Sequence, residues 1–329
     1  MRDIAAVREL EFSDLYVGHP VLPDRLTGVP GADSSPLVAS PVLQEDIDRL
    51  VMACQASFSA AHGQQRFKLE YDGVSYLAAA MATQDGHVFL LRKITAHISL
   101  LSELGIPQAY IRCLLTRNMS GLFLVSGKAR SGKTTSACAM LKERLVAFGG
   151  IAISVEEVAE LPLGGHHGSG VCYQMVAARS GTSPTEMFRQ AMRWGAKMIF
   201  VDEINDSAMA AEVLQASVNG SLIVSTMQAS SIVRTINKLQ SLANEKLAPA
   251  SVQALMADGL CGILCQTLGL PQHTKLGTEL FLSNECNVIR NMLRNGDYEL
   301  LGSEIQRQMS SIIAAKPATR LMMGGINVE

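Results

Sequence analysis

The sequence predicts an α/β protein with two domains: a small N-terminal α+β domain and a larger C-terminal domain built on a mostly parallel sheet. Three observations predict this architecture. A glycine-rich loop at 127–134 lies between an apolar strand and a helix. Apolar strands and helices then alternate along the chain, as they do in parallel sheets. Near the N-terminus, Asp-Gly turns at 72–73 and 85–86 separate three segments of alternating polarity, which indicates antiparallel hairpins.

Composition restricts the class of protein. The 329 residues are 48% hydrophobic and 18% charged, and the net charge is -2. Because a basic excess is missing, we expect no direct nucleic-acid partner. The seven cysteines, including Cys261 and Cys265, form no metal-ligand pattern and fit a reducing compartment. The charged N-terminus and the lack of an apolar run of about 18 residues predict a soluble, cytoplasmic protein.

The first 97 residues predict the α+β domain. A strand is expected over Phe12–Val17, followed by a proline-rich loop and by a helix over Leu43–His62 with apolar residues at helical spacing. The antiparallel sheet is completed by Arg66–Tyr71, Val74–Met81 and His87–Ile94. We place this domain at 1–97, a linker at 98–107 and the second domain at 108–329.

The loop in the second domain predicts a phosphate site. Residues 127–134 spell G-x-x-x-x-G-K-T, the P-loop pattern. Gly127 and Gly132 let the backbone curl so that N–H groups surround an anion at a helix N-terminus. Lys133 would reach the β- and γ-phosphates, and the Thr134 hydroxyl would hold Mg²⁺. The residues assigned to a nucleoside triphosphate here are Gly127, Ala129, Arg130, Ser131, Gly132, Lys133, Thr134 and Thr135.

The rest of the second domain alternates in the same way. Strands are expected over Ile151–Val155, Lys197–Val201 and Leu222–Thr226, with a polar glycine-rich loop at 164–170. A capping box with proline at the first helical position predicts a helix from 183 to 194. The C-terminal third, from about 231, is expected to be rich in helices.

Acidic residues follow two of these strands. Asp202 and Glu203 end the strand that begins at 198, at the edge where α/β proteins bind ligands. Asp202 would bind Mg²⁺ directly or through water, and Glu203 would polarise the attacking water. Glu156 follows the preceding strand together with two further glutamates. From the residues alone, this second group fits a phosphate crevice and a solvated loop equally well.

The motifs together resemble the secretion ATPase superfamily, and in particular the PilT-like type IV pilus retraction ATPases. The P-loop matches in full. Residues 155–160 are similar to the family's Asp box, and 201–206 to its Walker B ending. Further similar segments lie at 13–15, 66–69, 91–94 and 288–295, the last resembling the A-I-R-N-L-I-R-E motif of retraction motors.

The resemblance implies more than the residues do. It implies a PAS-like N-terminal domain, a RecA-like ATPase domain, and a homohexamer that binds ATP and Mg²⁺ between the two domains of each subunit. Arg92 is the best matched arginine for the γ-phosphate, where a guanidinium stabilises the developing charge. Glu156 of the Asp box is assigned to catalysis. The implied partner is an inner-membrane platform protein, which would hold the ATPase peripherally at the cytoplasmic side of the membrane.

A departure from the family's pattern motivates one of the alternative functions, the regulatory subunit. Both histidines of the family's His box are absent, and Gln228 stands at the second place. Its carboxamide can hydrogen-bond a γ-phosphate but cannot titrate. The expected function is a hexameric, ATP-hydrolysing motor that drives pilus retraction by pilin disassembly. The alternatives are a type IV secretion or conjugation ATPase, and a nucleotide-binding regulatory ring subunit that hydrolyses weakly.

Overall fold

The structure is a computed structural model that describes residues 6–32, 34–61, 64–95, 97–268, 276–283 and 286–314. His62, the expected end of the first helix, lies outside the described residues. So do residues 1–5 of the charged N-terminal segment and 315–329 of the expected second domain. Within the described residues, no helix combines the length and the apolar composition that crossing a bilayer requires.

The chain divides into two compact units. The first contains Met1–Ile98, Ile153–His166 and Val171–Gly195, and the second contains Ser99–Ala152, His167–Gly170 and Ala196–Glu329. Each unit has buried apolar side chains of its own. The domain boundaries expected at 97 and 107 stay a prediction.

A six-stranded antiparallel sheet and one helix make up the N-terminal part of the first unit. Its elements are β1 (Asp14–Val17), β2 (Arg25–Thr27), β3 (Leu37–Val38), α1 (Gln44–Ala60), β4 (Arg66–Tyr71), β5 (Val74–Thr83) and β6 (Gly86–Lys93). The strand order is β3-β2-β1-β6-β5-β4. The expectation of a continuous loop after β1 is wrong, because β2 and β3 form there. Their backbones extend the sheet from β1, which the proline-rich composition conceals.

The helix α1 covers the apolar side of this sheet. Its buried residues are Ile47, Leu50 and Cys54, which recur at helical spacing as the sequence predicts. They belong to one cluster with sheet residues such as Tyr76 and Phe89. Burial of the Cys54 thiol raises its pKa to about 12, so this cysteine packs as a neutral apolar group.

Helices and strands alternate through the remainder of the described chain. They are, in order, α2 (Gln108–Leu114), β7 (Gly121–Gly127), α3 (Lys133–Phe148), β8 (Gly150–Glu156), β9 (Gly165–His167), β10 (Gly170–Val176), α4 (Ala177–Ser180), α5 (Pro184–Arg193), β11 (Met198–Glu203), α6 (Ser207–Ser217), β12 (Leu222–Gln228), α7 (Ile232–Asn244), α8 (Pro249–Gly259), β13 (Leu260–Leu268), β14 (Leu276–Leu282), α9 (Asn287–Asn295) and α10 (Leu301–Ala314). The predicted N-cap of α5 is confirmed: the Ser183 hydroxyl accepts a hydrogen bond from the Glu186 N–H at 3.3 Å, and Pro184 is the first helical residue.

The strands β7 to β14 form an eight-stranded sheet in the order β14-β13-β7-β12-β11-β8-β10-β9. The strand β7 is buried along its whole length and runs parallel to both of its neighbours, β12 and β13. The strand β11 is parallel to β12 in turn. Parallel strands end at the same edge of a sheet, so the carboxyl ends of these four strands lie together. The predicted α/β class, with an N-terminal α+β part, is confirmed.

One expectation for this region is wrong: the glycine-rich segment at 164–170 contains β9 and the start of β10 instead of a loop. The C-terminal third is rich in helices as expected, with α7, α8, α9 and α10, and it also contains the antiparallel pair β13 and β14. A short apolar run such as the start of β13 fits a buried helix as well as a buried strand, which is why periodicity did not find it.

Candidate functional site

The P-loop is shaped by its two glycines. At Gly127, a Cβ atom would collide with the Ser131 hydroxyl and with the main-chain oxygen of Gln266, so only glycine fits. Gly132 has φ of +81°, and Arg130 has φ of +64°, both in the left-handed region that favours glycine. The loop therefore turns sharply between the end of β7 and the start of α3.

The P-loop side chains are arranged around this turn. Ala129 and Arg130 are exposed, and Ser131 is buried. Thr134 and Thr135 are half-buried in the first turn of α3. The Lys133 ammonium group donates to the main-chain oxygen of Lys128 at 3.0 Å, so it folds back over the loop.

The helix N-terminus at Gly132 supports anion binding. Gly132 is the N-cap of α3 and, as a glycine, has no side chain with which to cap the first turn. The N–H groups of a helix's first turn have no partner within the helix, and the helix dipole gives this end a partial positive charge. The loop and helix together can therefore receive phosphate oxygens.

The carboxylates lie at the end of β11. Asp202 and Glu203 are half-buried, and the strand register is irregular between Val201 and Glu203. The main-chain oxygen of Asp202 accepts hydrogen bonds from the hydroxyls of Thr226, at 2.8 Å, and Ser225, at 3.4 Å. These bonds anchor the backbone at the point where the strand is irregular and leave both carboxylates at the sheet edge.

Two glutamines stand at the level of Gly127, one on each neighbouring strand. Gln228 of β12 and Gln266 of β13 are both the register partners of Gly127. Gln228 is exposed, and its main-chain oxygen accepts a hydrogen bond from Lys238 at 3.1 Å. Gln266 is buried, and its side-chain N–H donates to the main-chain oxygen of Ser131. Sequence reasoning missed Gln266, although it is the polar residue that follows a six-residue apolar or glycine run.

Glu156 lies in the first unit and is buried. Its Oε1 accepts hydrogen bonds from the Ser154 hydroxyl, at 2.6 Å, and from the Gln174 amide, at 2.9 Å. Burial raises the pKa of the Glu156 carboxyl above its ordinary value, against the opposing effect of these two hydrogen bonds. Gln174 also donates to the Leu161 carbonyl and accepts from the Gly164 N–H, so it braces the chain after β8. The sequence left open whether these glutamates belong to a phosphate crevice or to a solvated loop. Because Glu156 is buried, it is not a solvated loop residue.

Arg92, the arginine expected at the γ-phosphate, and Arg66 both have acidic partners within the first unit. The Arg66 guanidinium pairs with Glu157 at 3.2 Å and with Glu160 at 2.8 Å. The Arg92 guanidinium donates to Asp14 Oδ1 from Nε at 3.2 Å and from Nη2 at 2.9 Å. Asp14 is fully buried and also accepts from the Thr27 hydroxyl. The catalytic role of Arg92, like those of Lys133, Glu156 and Glu203, stays a prediction.

The fold and this site define a P-loop ATPase, with the glycine-rich loop after β7 and the acidic end of β11 at the same edge of the parallel part of one sheet. The chain belongs to the type II/IV secretion system protein family, whose model matches residues 64–322. The resemblance to PilT-like secretion ATPases is thereby confirmed.

Relatives of known name support this membership. The chain is 26% identical over 249 residues to the type IV pilus retraction ATPase PilT of Pseudomonas aeruginosa, covering 73% of this chain and 69% of PilT. It is 31% identical over 179 residues to a type II secretion system protein E of Klebsiella pneumoniae, covering 54% of this chain and 35% of that protein. The chain thus spans about a third of the latter relative.

Solved structures show the same fold. A crystal structure of the pilus retraction motor PilT with bound ADP superposes with a TM-score of 0.70 and 21% identity, covering 93% of this chain and 88% of that chain. The ATPase DotB of Legionella pneumophila superposes with a TM-score of 0.66 and 18% identity, covering 92% of this chain and 85% of that chain. At these identities the likeness establishes the fold alone.

Proposed function

We propose that this chain is the subunit of a hexameric motor that hydrolyses ATP to drive type IV pilus retraction. One observation carries the proposal. A complete P-loop with Lys133 follows β7, the adjacent strand β12 ends at Gln228, and the next strand along, β11, ends at Glu203 on the same sheet edge. This is the arrangement that phosphoryl transfer needs, since catalysis there depends on positioning and on charge stabilisation.

The residues of the second unit divide the chemistry among them. The loop N–H groups and Lys133 hold the phosphates, and Glu203 orients the water that attacks the γ-phosphate. Mg²⁺ fits this site because Thr134 and Asp202 offer half-buried oxygen ligands, which hard divalent cations prefer. When bound, Mg²⁺ would neutralise phosphate charge. Gln228 would hydrogen-bond the γ-phosphate without changing its own charge.

Arg92 and Glu156 are proposed to act from the first unit. Arg92 side-chain exposure is 43%, and its present anionic partner is the carboxylate of Asp14. If Arg92 reaches a γ-phosphate, its guanidinium leaves the Asp14 carboxylate and pairs with the phosphate instead. The position of Arg92 would then depend on which nucleotide is bound. Glu156 would act in its protonated form more readily than an exposed glutamate, because burial raises its pKa.

The pilus-specific part rests on similarity. The match to PilT covers 73% of this chain, and the A-I-R-N-like segment forms α9. Arg294 of that helix pairs with Asp258 of α8 at 2.6 Å, which ties the segment into the second unit. We further propose that the hexamer works at the cytoplasmic face of the inner membrane, held there by a platform protein.

A secretion motor is the second candidate, because the match to the Klebsiella pneumoniae secretion protein has the higher identity over its shorter span. The alternative expected from the sequence is a type IV secretion or conjugation ATPase. Deleting the gene and following surface pili separates the two. Cells with excess pili that fail to withdraw support retraction, whereas unchanged pili with a secretion defect support the alternative.

Phosphate release by the purified protein tests the enzymatic part. We expect Lys133→Ala to lose turnover by more than about 100-fold, because its ammonium group stabilises the transferred phosphoryl group. Glu203→Gln should keep ATP binding and lose hydrolysis. The exposed Lys246→Ala in the same unit is the matched control and should keep full activity. Turnover that persists in Lys133→Ala would contradict the assigned site, and slow turnover in the wild type would favour a regulatory ring subunit.

The ring is tested separately. Mass determination in solution, with and without ATP, should give six copies of the 35.3 kDa chain. A protein that stays monomeric under both conditions would remove the hexameric part of the proposal.

A further inference from the structure

Gln266 is a buried polar residue in an otherwise apolar stretch. The six residues that precede it in β13 are all buried, and Gln266 itself is 1% exposed. Burying a carboxamide is unfavourable unless hydrogen bonds replace its contacts with water. An apolar side chain would therefore serve the sheet core better, and the presence of a glutamine requires an explanation.

The contact that Gln266 makes is with the P-loop. Its Nε2 donates a hydrogen bond to the main-chain oxygen of Ser131. Only the NH₂ end of a carboxamide can donate to a carbonyl, so this contact sets the orientation of the side chain. Gln266 also pairs in register with Gly127, and a Cβ at Gly132 would lie 3.3 Å from its Nε2. The glutamine thus lies against the first glycine, the buried serine and the second glycine of the loop.

The bond controls the direction of the next N–H group. The peptide between Ser131 and Gly132 is planar and trans, so its C=O and N–H point in opposite directions. With the C=O held by Gln266, the Gly132 N–H faces away from β13. Gly132 is also the N-cap of α3, so this N–H lies at the helix end that favours anions.

We propose that Gln266 is a positioning residue of the nucleotide site. By holding the Ser131 carbonyl, it presents the Gly132 N–H to the phosphates of the bound nucleotide. The inference rests on the proposed function, since it assigns a further residue to the same site.

Unpaired polar atoms in this region support the assignment. Within the part of the chain that the structure describes, Gln266 Oε1 and the Ser131 hydroxyl are buried and make no hydrogen bond. Buried polar groups without partners are rare, and they concentrate at places that serve function at the expense of stability. A glutamine whose second polar atom is unpaired is poorly explained by stability alone.

The test replaces Gln266 with methionine, which has a similar size but no donor. Binding of ATP, ADP and adenosine is measured by calorimetry on the full chain. We expect ATP and ADP to bind about tenfold more weakly, as the loss of one positioned hydrogen bond predicts, with adenosine unchanged. The matched control is Gln308→Met, which removes an amide that bonds the main chain of Leu282 on β14. It should lower the melting temperature and leave all three affinities unchanged.

A second variant, Gln266→Glu, should give ATP binding a pH dependence that a purely structural role of Gln266 would not produce. Protonated, the new carboxyl can donate to the Ser131 carbonyl; ionised, it cannot, and it repels phosphate. Burial raises the pKa of such a carboxyl, so its ATP affinity relative to wild type should recover as the pH falls from 8 to about 6. This variant decides the question if Gln266→Met does not fold.

Two results would overturn the inference: unchanged ATP affinity in folded Gln266→Met, or an equal loss for adenosine. The absence of pH-dependent recovery in Gln266→Glu would count against it in the same way. A wild-type protein that binds no ATP would instead overturn the proposed function.

Discussion

Two loops that each follow a buried strand are held in shape by different means. The P-loop, which follows β7, takes its shape from the main chain: glycine where no Cβ fits, and left-handed backbone at two further positions. The loop at 157–164, which follows β8, takes its shape from side chains. Gln174 bonds its backbone at two points, and Arg66 pairs with two of its glutamates.

The difference determines what each loop can do and how it can be recognised. A loop shaped by its own main chain leaves N–H groups and side chains available for a ligand, and its glycine spacing is visible in the sequence. A loop shaped by side chains depends on partners that lie far away in the chain. Arg66 is 91 residues from Glu157. The stability of such a loop depends on pH and salt, whereas the shape of the P-loop depends on whether added side-chain atoms fit.

The largest effect should come from Gly127→Ala. The added methyl group collides with Ser131 and with the main-chain oxygen of Gln266, which cannot move without distorting β13. We expect a loss of about 1–3 kcal/mol in the free energy of unfolding, as overpacking predicts, together with weaker ATP binding. Chemical denaturation measures the first effect and calorimetry the second.

Gly302→Ala is the control for this change. Gly302 lies in α10, where a Cβ would meet no atom within 4 Å. Alanine there should be neutral or stabilising by up to about 1 kcal/mol, because it suits a helix better than glycine does. Equal losses at both positions would mean that the P-loop is not shaped by the missing Cβ.

An intermediate effect is expected from Glu156→Gln, and it should depend on pH. The folded state raises the pKa of Glu156, so between the ordinary value of 4.5 and the raised value the folded protein binds more protons than the unfolded chain. In the wild type, the contribution of the Glu156 carboxyl to the free energy of unfolding is therefore present at low pH and lost as the pH rises. The carboxamide that replaces the carboxyl keeps an oxygen that can accept from Ser154 and Gln174, but it does not ionise.

Thermal melting at several pH values measures this effect. The substituted protein should melt above wild type at pH 8, and the gap should close as the pH falls towards 4.5. A gap that is constant with pH would show that ionisation of Glu156 does not strain the loop.

The smallest effect should come from Glu160→Gln, which removes one of the two ion pairs of Arg66. The Arg66 side chain is 37% exposed, so we expect a loss below about 1 kcal/mol that shrinks further in 1 M salt. The exposed pair of Arg49 with Glu45 on α1 offers Glu45→Gln as a control with a still smaller loss. A large effect that persists in high salt would mean that the pair is effectively buried.

Much of the fold could be predicted because it is encoded locally. The strand β4 has the predicted bounds, and β5 and β6 differ from prediction by one or two residues at their ends. Alternation of polarity and Asp-Gly turns carry that information within a few residues. The strands β2 and β3 lack such a pattern, and they form through pairing with distant partners in the sheet, β2 with the edge of β1 and β3 with β2.

The candidate site divides in the same way. The P-loop residues could be named from spacing alone, and the acidic end of β11 from its position after an apolar run. Gln266 could not be, because its role depends on a contact with Ser131, 135 residues away. The pairing of Arg92 with Asp14, across 78 residues, was equally invisible.

By itself, the sequence determined that a strand, a glycine-rich turn and a helix follow one another and can receive phosphate, because glycine spacing restricts the main chain directly. Only the tertiary structure decided which carboxylates hold the arginines, that Glu156 is buried, and that a glutamine supports the loop from β13. The physical reason is that burial and hydrogen bonding between distant residues arise only when the chain has folded, and these contacts set charge, pKa and orientation.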